Sequence, residues 1–414
     1  MWSTLRGANE IQNGSLSGSF WGIFKQTTVA YLFDITGLIA GFLIAYQLSV
    51  FKLYPWAFAL YPALISTRII NGLLSGRLST ALHLGTINPQ FSGNTTAFHR
   101  LIHAIIVLTL ITSLVVSVIS LFFGYLLLGI TITDFPAMLS VMVSTLALGL
   151  LFSLVTIKVA FFSFKRGLDP DIVVYPIIAT SASIFITICY VGVLNLLPFL
   201  LGKFVILAIG FGQVILVLYL LLKDKQEPRF LRFIRESLLT LMLVAVIVTF
   251  TGTVFSGLGK FAEKEIAVIY PALITAYPAL INNASNVGLV IGSTANTKLA
   301  LGLLKPKFSS IKNHAKNVTT AWLGSFLIFV ILALSSLAIN LVSSLSGIIG
   351  LIALILVSNV IAVIGIVIVS YGVAILAFRR GLNLENFVTP LETSFAILIT
   401  SAALLLTLIL LTLH

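Results

Sequence analysis

The segment Tyr61–Gly85, YPALISTRIINGLLSGRLSTALHLG, decides how this chain folds. It is apolar enough for a bilayer, yet it carries Arg68, Asn71, Gly72, Gly76 and the run Arg77-Leu78-Ser79-Thr80. A second version stands at Tyr277–Gly302, YPALINNASNVGLVIGSTANTKLALG, with one extra residue late in the segment. A polar, glycine-rich membrane segment that occurs twice points to a substrate path between two repeats.

The likeness extends on both sides of that segment. Tyr54-Pro55 and Tyr61-Pro62 recur as Tyr270-Pro271 and Tyr277-Pro278, both 216 residues later (270 − 54 and 277 − 61). Phe164–Asp171, FKRGLDPD, recurs as Phe378–Glu385, FRRGLNLE, at a spacing of 214 (378 − 164). Pro176 and Pro390, and Thr180 and Ser394, keep that second spacing. The chain therefore reads as an internal duplication.

Of 414 residues, 59% are hydrophobic and 9% charged, where a soluble domain carries about 25% charged residues. Many segments exceed the roughly 20 apolar residues that span a bilayer. No short alternating strands of a membrane barrel are evident. The fold expected is an all-α polytopic membrane protein of about eleven helices. Helices 1–5 lie at about 28–48, 55–84, 102–130, 137–163 and 172–194; helix 6 is at 201–222. Helices 7–11 follow at about 237–257, 266–303, 318–343, 346–377 and 388–413. This divides the chain into a tail (1–26), a first membrane repeat (27–200), a linking helix with a basic linker (201–236) and a second repeat (237–414). Five is an odd number of crossings, so helix 6 is needed to make the two repeats run in the same direction about an axis along the membrane normal.

The net charge of +12 sits in the short loops. One set of loops holds Arg100, Lys165, Arg166, the stretch Lys223–Glu236, Lys305–Lys316, Arg379 and Arg380; the other holds Lys52, Lys203, Lys260 and Lys264. The positive-inside rule makes the first set cytoplasmic, which puts the N-terminus inside and the C-terminus outside, in a plasma membrane. Membrane topology accounts for the charge and leaves no case for nucleic-acid binding. Cys189 is the only cysteine, which excludes an intrachain disulfide or a cysteine metal cluster. Met1–Asn13 is polar and does not read as a cleavable signal peptide. No HExxH, phosphate-cradling glycine loop or GxSxG element occurs, so neither an enzyme nor an ATP-driven pump is indicated, and no cofactor is implied.

Helices 2 and 8 are where ion chemistry is expected. Proline lacks an N–H and clashes with the preceding turn, so helix 2 is expected to break near Pro62, and helix 8 at its counterpart. Asn71, Asn282, Asn283, Ser285 and Asn286 offer amide or hydroxyl oxygens to a cation or its water; the plainer reading is helix packing by small polar residues. Thr180, Ser181 and Ser183 lie beyond Pro176, and Glu392, Thr393 and Ser394 beyond Pro390. Glu392 is the acid set deep in the second repeat, a costly placement that more often marks function than structure. Asp34 is its counterpart in helix 1, with Arg68 or Lys158 as a structural partner or with a role near the pathway. Asp169, Asp171 and Glu385 stand at the starts of helices 5 and 11, as N-caps or as a cation-attracting mouth. Arg77 and Lys298 read as snorkelling or loop-pairing cations, and His83 and His103 as non-ligands.

At these residues a family resemblance emerges. Gly76–Gly85, GRLSTALHLG, resembles the Ser-Arg-Leu-Ser-Thr-Ala element of solute carrier family 41. Gly167–Asp171, GLDPD, with Pro176, is similar to that family's Asp-Pro-Asp-Asn-x-x-x-Pro motif, and Glu385-Asn386-Phe387 with Pro390 is a weaker copy. Asn286 falls at the Asn of the family's Gly-Gly-Asn. This membrane domain is shared with bacterial MgtE magnesium channels, and the resemblance covers nearly the whole chain as two fused copies. It implies a divalent-cation pathway, Mg²⁺ foremost, between the copies and lined by helices 2, 5, 8 and 11, with one chain acting as a pseudo-dimer. Metal contacts are then expected from Asn71, Thr180, Ser183, Asn282, Asn286, Glu392 and Thr393. Two family acids are absent: Ser183 and Ile397 stand at the pore-acid position, and Asn71 replaces the acid before the Arg-Leu-Ser-Thr element. Those losses keep a monovalent cation, a proton-coupled solute or an anion in play, and a non-transporting scaffold is the rival from another class. The 26-residue tail is too short for the sensor domains of the bacterial channels.

Overall fold

The structure is a computed structural model that describes residues 20–166, 170–381 and 387–412, without the side chains of 170–177 and 229. It is all-helical, the fold of a polytopic membrane protein. Ten helices among the described residues are long and apolar enough to cross a membrane. They include α1 (Phe20–Tyr46), α2 (Pro55–His83), α3 (Thr96–Leu128), α4 (Ile132–Lys165) and α6 (Leu200–Asp224). The helix α5 (Pro170–Leu196) holds another, and α7 (Pro228–Glu265) precedes the duplicate segment. That segment is α8 (Tyr270–Ala300), followed by α9 (Ala315–Ile339), α10 (Leu345–Arg380) and α11 (Thr389–Thr412).

α8 is not one of the ten. Its 31 residues make it about 46 Å long at 1.5 Å per residue, enough for a bilayer. Asn282, Asn283 and Asn286 lower its hydropathy. It can carry them because α1, α9, α10 and α11 surround it and nearly all of Tyr270–Gly288 is buried. Ringing a polar helix with other helices keeps its amides out of lipid.

The packing partners follow a two-fold pattern. α1 packs on α8 and α9 of the other half as well as on α5 of its own, and α7 packs on α2 and α3 of the other half as well as on α11 of its own. Within each half, α2 meets α3, α4 and α5 as α8 meets α9, α10 and α11. Close backbone approaches fix the exchange: a Cβ on Gly41 of α1 would collide with the Thr275 carbonyl of α8, and a Cβ on Gly252 of α7 with the Ala59 carbonyl of α2. Ala59 and Thr275 lie 216 residues apart (275 − 59). Matching hydrogen bonds join Tyr61 to Thr187 at 3.2 Å and Tyr277 to Ser401 at 2.8 Å. One apolar core runs through both halves. Across it Phe255 of α7 stacks on Tyr277 with ring centroids 3.9 Å apart, and Phe58 lies 5.2 Å from Phe255.

Two expectations about the helices need correction. α2 does not break at Pro62; it runs through that residue and is interrupted at Thr67. α8 runs unbroken through Pro278. Neighbouring hydroxyls bond the carbonyls around the proline: Ser66 Oγ donates to the Pro62 carbonyl at 2.7 Å, and Thr67 Oγ1 to that of Leu64 at 2.5 Å. These bonds lie in the turns after the proline; the carbonyl deprived of its N–H partner is that of Phe58. α6 is peripheral: 22% of its central window is buried, against 94% in α2.

Candidate functional site

α1 is interrupted by a 3-10 turn at Phe33–Thr36, and this turn carries Asp34 into the contact between α1 and α8. Asp34 is fully buried. Asn286 Nδ2 donates to both of its carboxyl oxygens, at 2.9 and 3.0 Å. Asn283 Nδ2 donates at 3.1 Å, and Thr180 Oγ1 of α5 at 3.4 Å. The guanidinium of Arg68, the first residue after the α2 interruption, acts on the carboxyl electrostatically. Arg68 itself donates to Ser183 Oγ of α5 at 3.4 Å and to Asn282 Oδ1 of α8. Buried polar and charged groups need hydrogen-bond partners, and here the carboxyl and the guanidinium both have them.

The cluster continues into the second half. Ser325 Oγ of α9 donates to Asn283 Oδ1 at 2.5 Å, Asn359 Nδ2 of α10 donates to Ser325 Oγ at 3.1 Å, and Trp322 Nε1 donates to Asn359 Oδ1 at 3.1 Å. One polar network thus joins α1, α2 and α5 of the first half to α8, α9 and α10 of the second. The sequence reading did not reach Ser325 and Asn359. A signal was available at Asn359, an amide in the largely apolar α10; Ser325, in a helix that also carries Asn317, Thr319 and Thr320, had none.

Of the residues singled out from sequence, Thr180, Ser183, Asn282 and Asn286 are brought together around Asp34 and Arg68. Arg68, not Lys158, is the cation beside Asp34; Lys158 is exposed on α4. Asn71 lies elsewhere: its Oδ1 accepts from Ser153 Oγ of α4 at 3.1 Å. It lines a crevice of about 10 Å³ with Thr67, Thr109 and Ile186.

Glu392 and Thr393 form a second locus, on α11. Glu392 is fully buried, and neither carboxyl oxygen has a hydrogen-bond partner among the described residues. Its carboxyl occupies the space above Gly292 of α8, where any side chain would collide with it. Ser285 Oγ donates to the Thr393 carbonyl at 3.4 Å. At 3.6 residues per turn, Ser285, Gly288 and Gly292 face a direction about 130° from Asn282, Asn283 and Asn286. α8 therefore presents one polar face to Asp34 and another to Glu392.

Asp169 and Glu385 lie outside the described residues, and for Asp171 only the backbone, in the first turn of α5, is described. At the basic ends, Arg77 lies 3.6 Å from Glu236 and stacks on Phe233 at 5.0 Å. Lys298 donates to Asn317 Oδ1 at 2.7 Å. His103 Nδ1 is 2.5 Å from Asp224 and His83 Nδ1 is 2.8 Å from the Ser79 carbonyl. Among the described residues no three His, Cys, Asp or Glu side chains gather as a metal cluster. Oxygen chemistry here rests on one carboxyl surrounded by amides and hydroxyls.

Residues 61–193, from α2 into α5, match the family model described as MgtE, divalent cation transporter. No curated protein and no solved structure matches the chain. The match lies within the first half of the chain.

Proposed function

We propose, from the divalent cation transporter domain at residues 61–193, that this chain carries a divalent cation, Mg²⁺ foremost, across the membrane between its two halves. The observation that carries the reading is the polar network between the halves, where an apolar seam would serve a scaffold equally well. Residues 27–200 and 237–414 are two fused copies in like orientation, and one chain works as a pseudo-dimer. The exchange of α1 and α7 and the paired contacts of Gly41 and Gly252 support that duplication. The cation passes the seam holding Thr180, Ser183, Asn282 and Asn286, while Glu392 and Thr393 supply a second carboxyl-bearing locus on α11. Asp169, Asp171 and Glu385 attract cations at the cytoplasmic mouth. The chain needs no cofactor besides its cargo, and lies in the plasma membrane with its N-terminus inside.

Mg²⁺ normally keeps several waters and binds through one or two carboxylates. One buried carboxyl with amide and hydroxyl neighbours suits such a hydrated ion, held weakly enough to leave. The presence of Arg68 in the same seam favours an anion as the rival cargo. The two readings part in proteoliposomes. Mg²⁺ uptake is expected in the wild type, reduced in Asn286→Ala and in Glu392→Gln. Chloride flux without Mg²⁺ flux would establish the anion reading, and no flux of either ion from folded protein would leave the scaffold.

A further inference from the structure

We propose that the Arg68 side chain is a tethered stand-in for the transported cation, and that a hydrated divalent cation takes its place between Asp34, Ser183 and Asn282. This rests on the transport reading and deepens it by naming the site and what competes for it.

The geometry of Arg68 motivates the idea. It comes from α2 of the first half and satisfies acceptors on two other helices, Ser183 Oγ of α5 and Asn282 Oδ1 of α8. The carboxyl of Asp34 on α1 lies in the same network, bonded by Asn283 and Asn286, which neighbour Asn282 on α8. These oxygens are what a cation would seek. A guanidinium and a hydrated Mg²⁺ ion make the same demand on their surroundings: both are positive, and both present several outward-pointing hydrogens to acceptor oxygens. The amides can adapt as well. A terminal amide torsion is broad and roughly two-fold, so turning Asn286 about its last bond exchanges Nδ2 for Oδ1 against an incoming ion. Arg68 directly follows the α2 interruption at Thr67, so its backbone sits at the one point of that helix where the ladder is already broken.

The corresponding place in the other interface carries no such charge. There α7 meets α2, and the crevice is lined by Ala245, Val248, Ser66, Thr67 and Ile70. With Gly41 aligned on Gly252, a spacing of 211 (252 − 41), Asp34 falls on Ala245. At the spacing of 216, Arg68 falls on Ala284 (284 − 68) and Asn286 on Ile70 (286 − 70). Carboxyl and guanidinium are thus present together at one interface and both missing at the other, as expected if each is there because of the other. One chain then holds one such site, and the ion and the guanidinium exclude each other from it.

The test uses the full-length protein in detergent with Mg²⁺ as the probe, read by thermal unfolding. Four forms are compared: wild type, Arg68→Lys, Arg68→Gln and the charge-free pair Asp34→Asn/Arg68→Gln. Removing the competing charge should tighten apparent Mg²⁺ affinity about tenfold or more, since a like charge at the same acceptor oxygens opposes the ion. Arg68→Lys keeps the charge and should stay near wild type. The double variant should fold and lose the Mg²⁺-dependent shift, and KCl at matched ionic strength should produce no shift in any form. Equal affinity in wild type and Arg68→Gln, or a shift retained in the double variant, overturns the proposal. Should Arg68→Gln not fold without salt, its rescue by Mg²⁺ but not by KCl is the supporting result, and no rescue the opposing one. If the wild type moves Mg²⁺ while its affinity ignores Asp34 and Arg68, this site falls and the transport reading stands. If no form binds or moves Mg²⁺, both fall.

Discussion

Glu392 shows what the sequence could and could not disclose at the scale of one residue. A lone acid in an apolar helix was legible as costly, and the structure places it fully buried with both oxygens lacking a partner among the described residues. An unsatisfied buried polar group costs about 1–3 kcal/mol. Glu392→Met, of similar shape, should therefore raise the unfolding temperature in detergent while lowering Mg²⁺ uptake. A fall in stability would show that the carboxyl serves the fold. The Asp34 cluster was half legible. Thr180, Ser183, Asn282 and Asn286 stood out as polar residues in or beside duplicated segments, and they do converge. Asn71 stood out for the same reason and does not join them. It lies about 60° around α2 from Arg68, and its short side chain stops at Ser153 where the arginine reaches the seam. Side-chain reach and helix rotation are tertiary quantities, and composition does not report them.

Among the elements, the prolines carried the clearest sequence signal and the least reliable consequence. Pro62 and Pro278 were expected to break their helices, because a missing N–H and a steric clash are local facts. Burial in the packed interior carries both helices through their prolines: nearly all of Trp56–Ser66 and of Tyr270–Gly288 is buried. The interruption falls instead at Thr67, just ahead of Arg68. Hydropathy alone would have passed over α8, and it was the repeat of the Tyr-Pro segment that identified it as a membrane element. The exchange of α1 and α7 was not legible, since nothing in a periodic pattern says which half a helix will join. It depends on Gly41 and Gly252, whose backbones lie against carbonyls of the opposite half. Overpacking such contacts costs about 1–3 kcal/mol. Gly41→Ala and Gly252→Ala should both lower the unfolding temperature, and by similar amounts. Gly192→Ala on α5, where a Cβ meets nothing within 4 Å, should leave it unchanged. A loss at one of the two positions only would argue against equivalent interfaces.

For the whole molecule, the fold class followed from composition, and two spacings that agree to within two residues led the sequence reading to expect a duplication. What the sequence left open was where the halves keep their likeness and where they abandon it. Packing partners, tyrosine hydroxyl bonds and glycine contacts remain paired. The charges do not. Asp34 and Arg68 belong to the α1–α8 side, and the α2–α7 side is lined by Ala245, Thr67 and Ile70. On the proposal that the halves are fused copies, each is free to diverge in this way, because neither has to serve both interfaces. A homodimer of one repeat would carry the site twice or not at all. The consequence for transport is that the two interfaces should contribute unequally, with the ion passing the charged one.

The most direct measurement is Mg²⁺ uptake into proteoliposomes reconstituted at matched protein levels with wild type, Asp34→Asn or Thr112→Val. Asp34→Asn, which removes the only carboxyl of the α1–α8 network, should lower the uptake rate about tenfold or more, the scale of losing the charge from an ion site. Thr112→Val, in the crevice at the opposite interface, should transport as the wild type does. Uptake by Asp34→Asn at the wild-type rate would contradict a cation path through this seam.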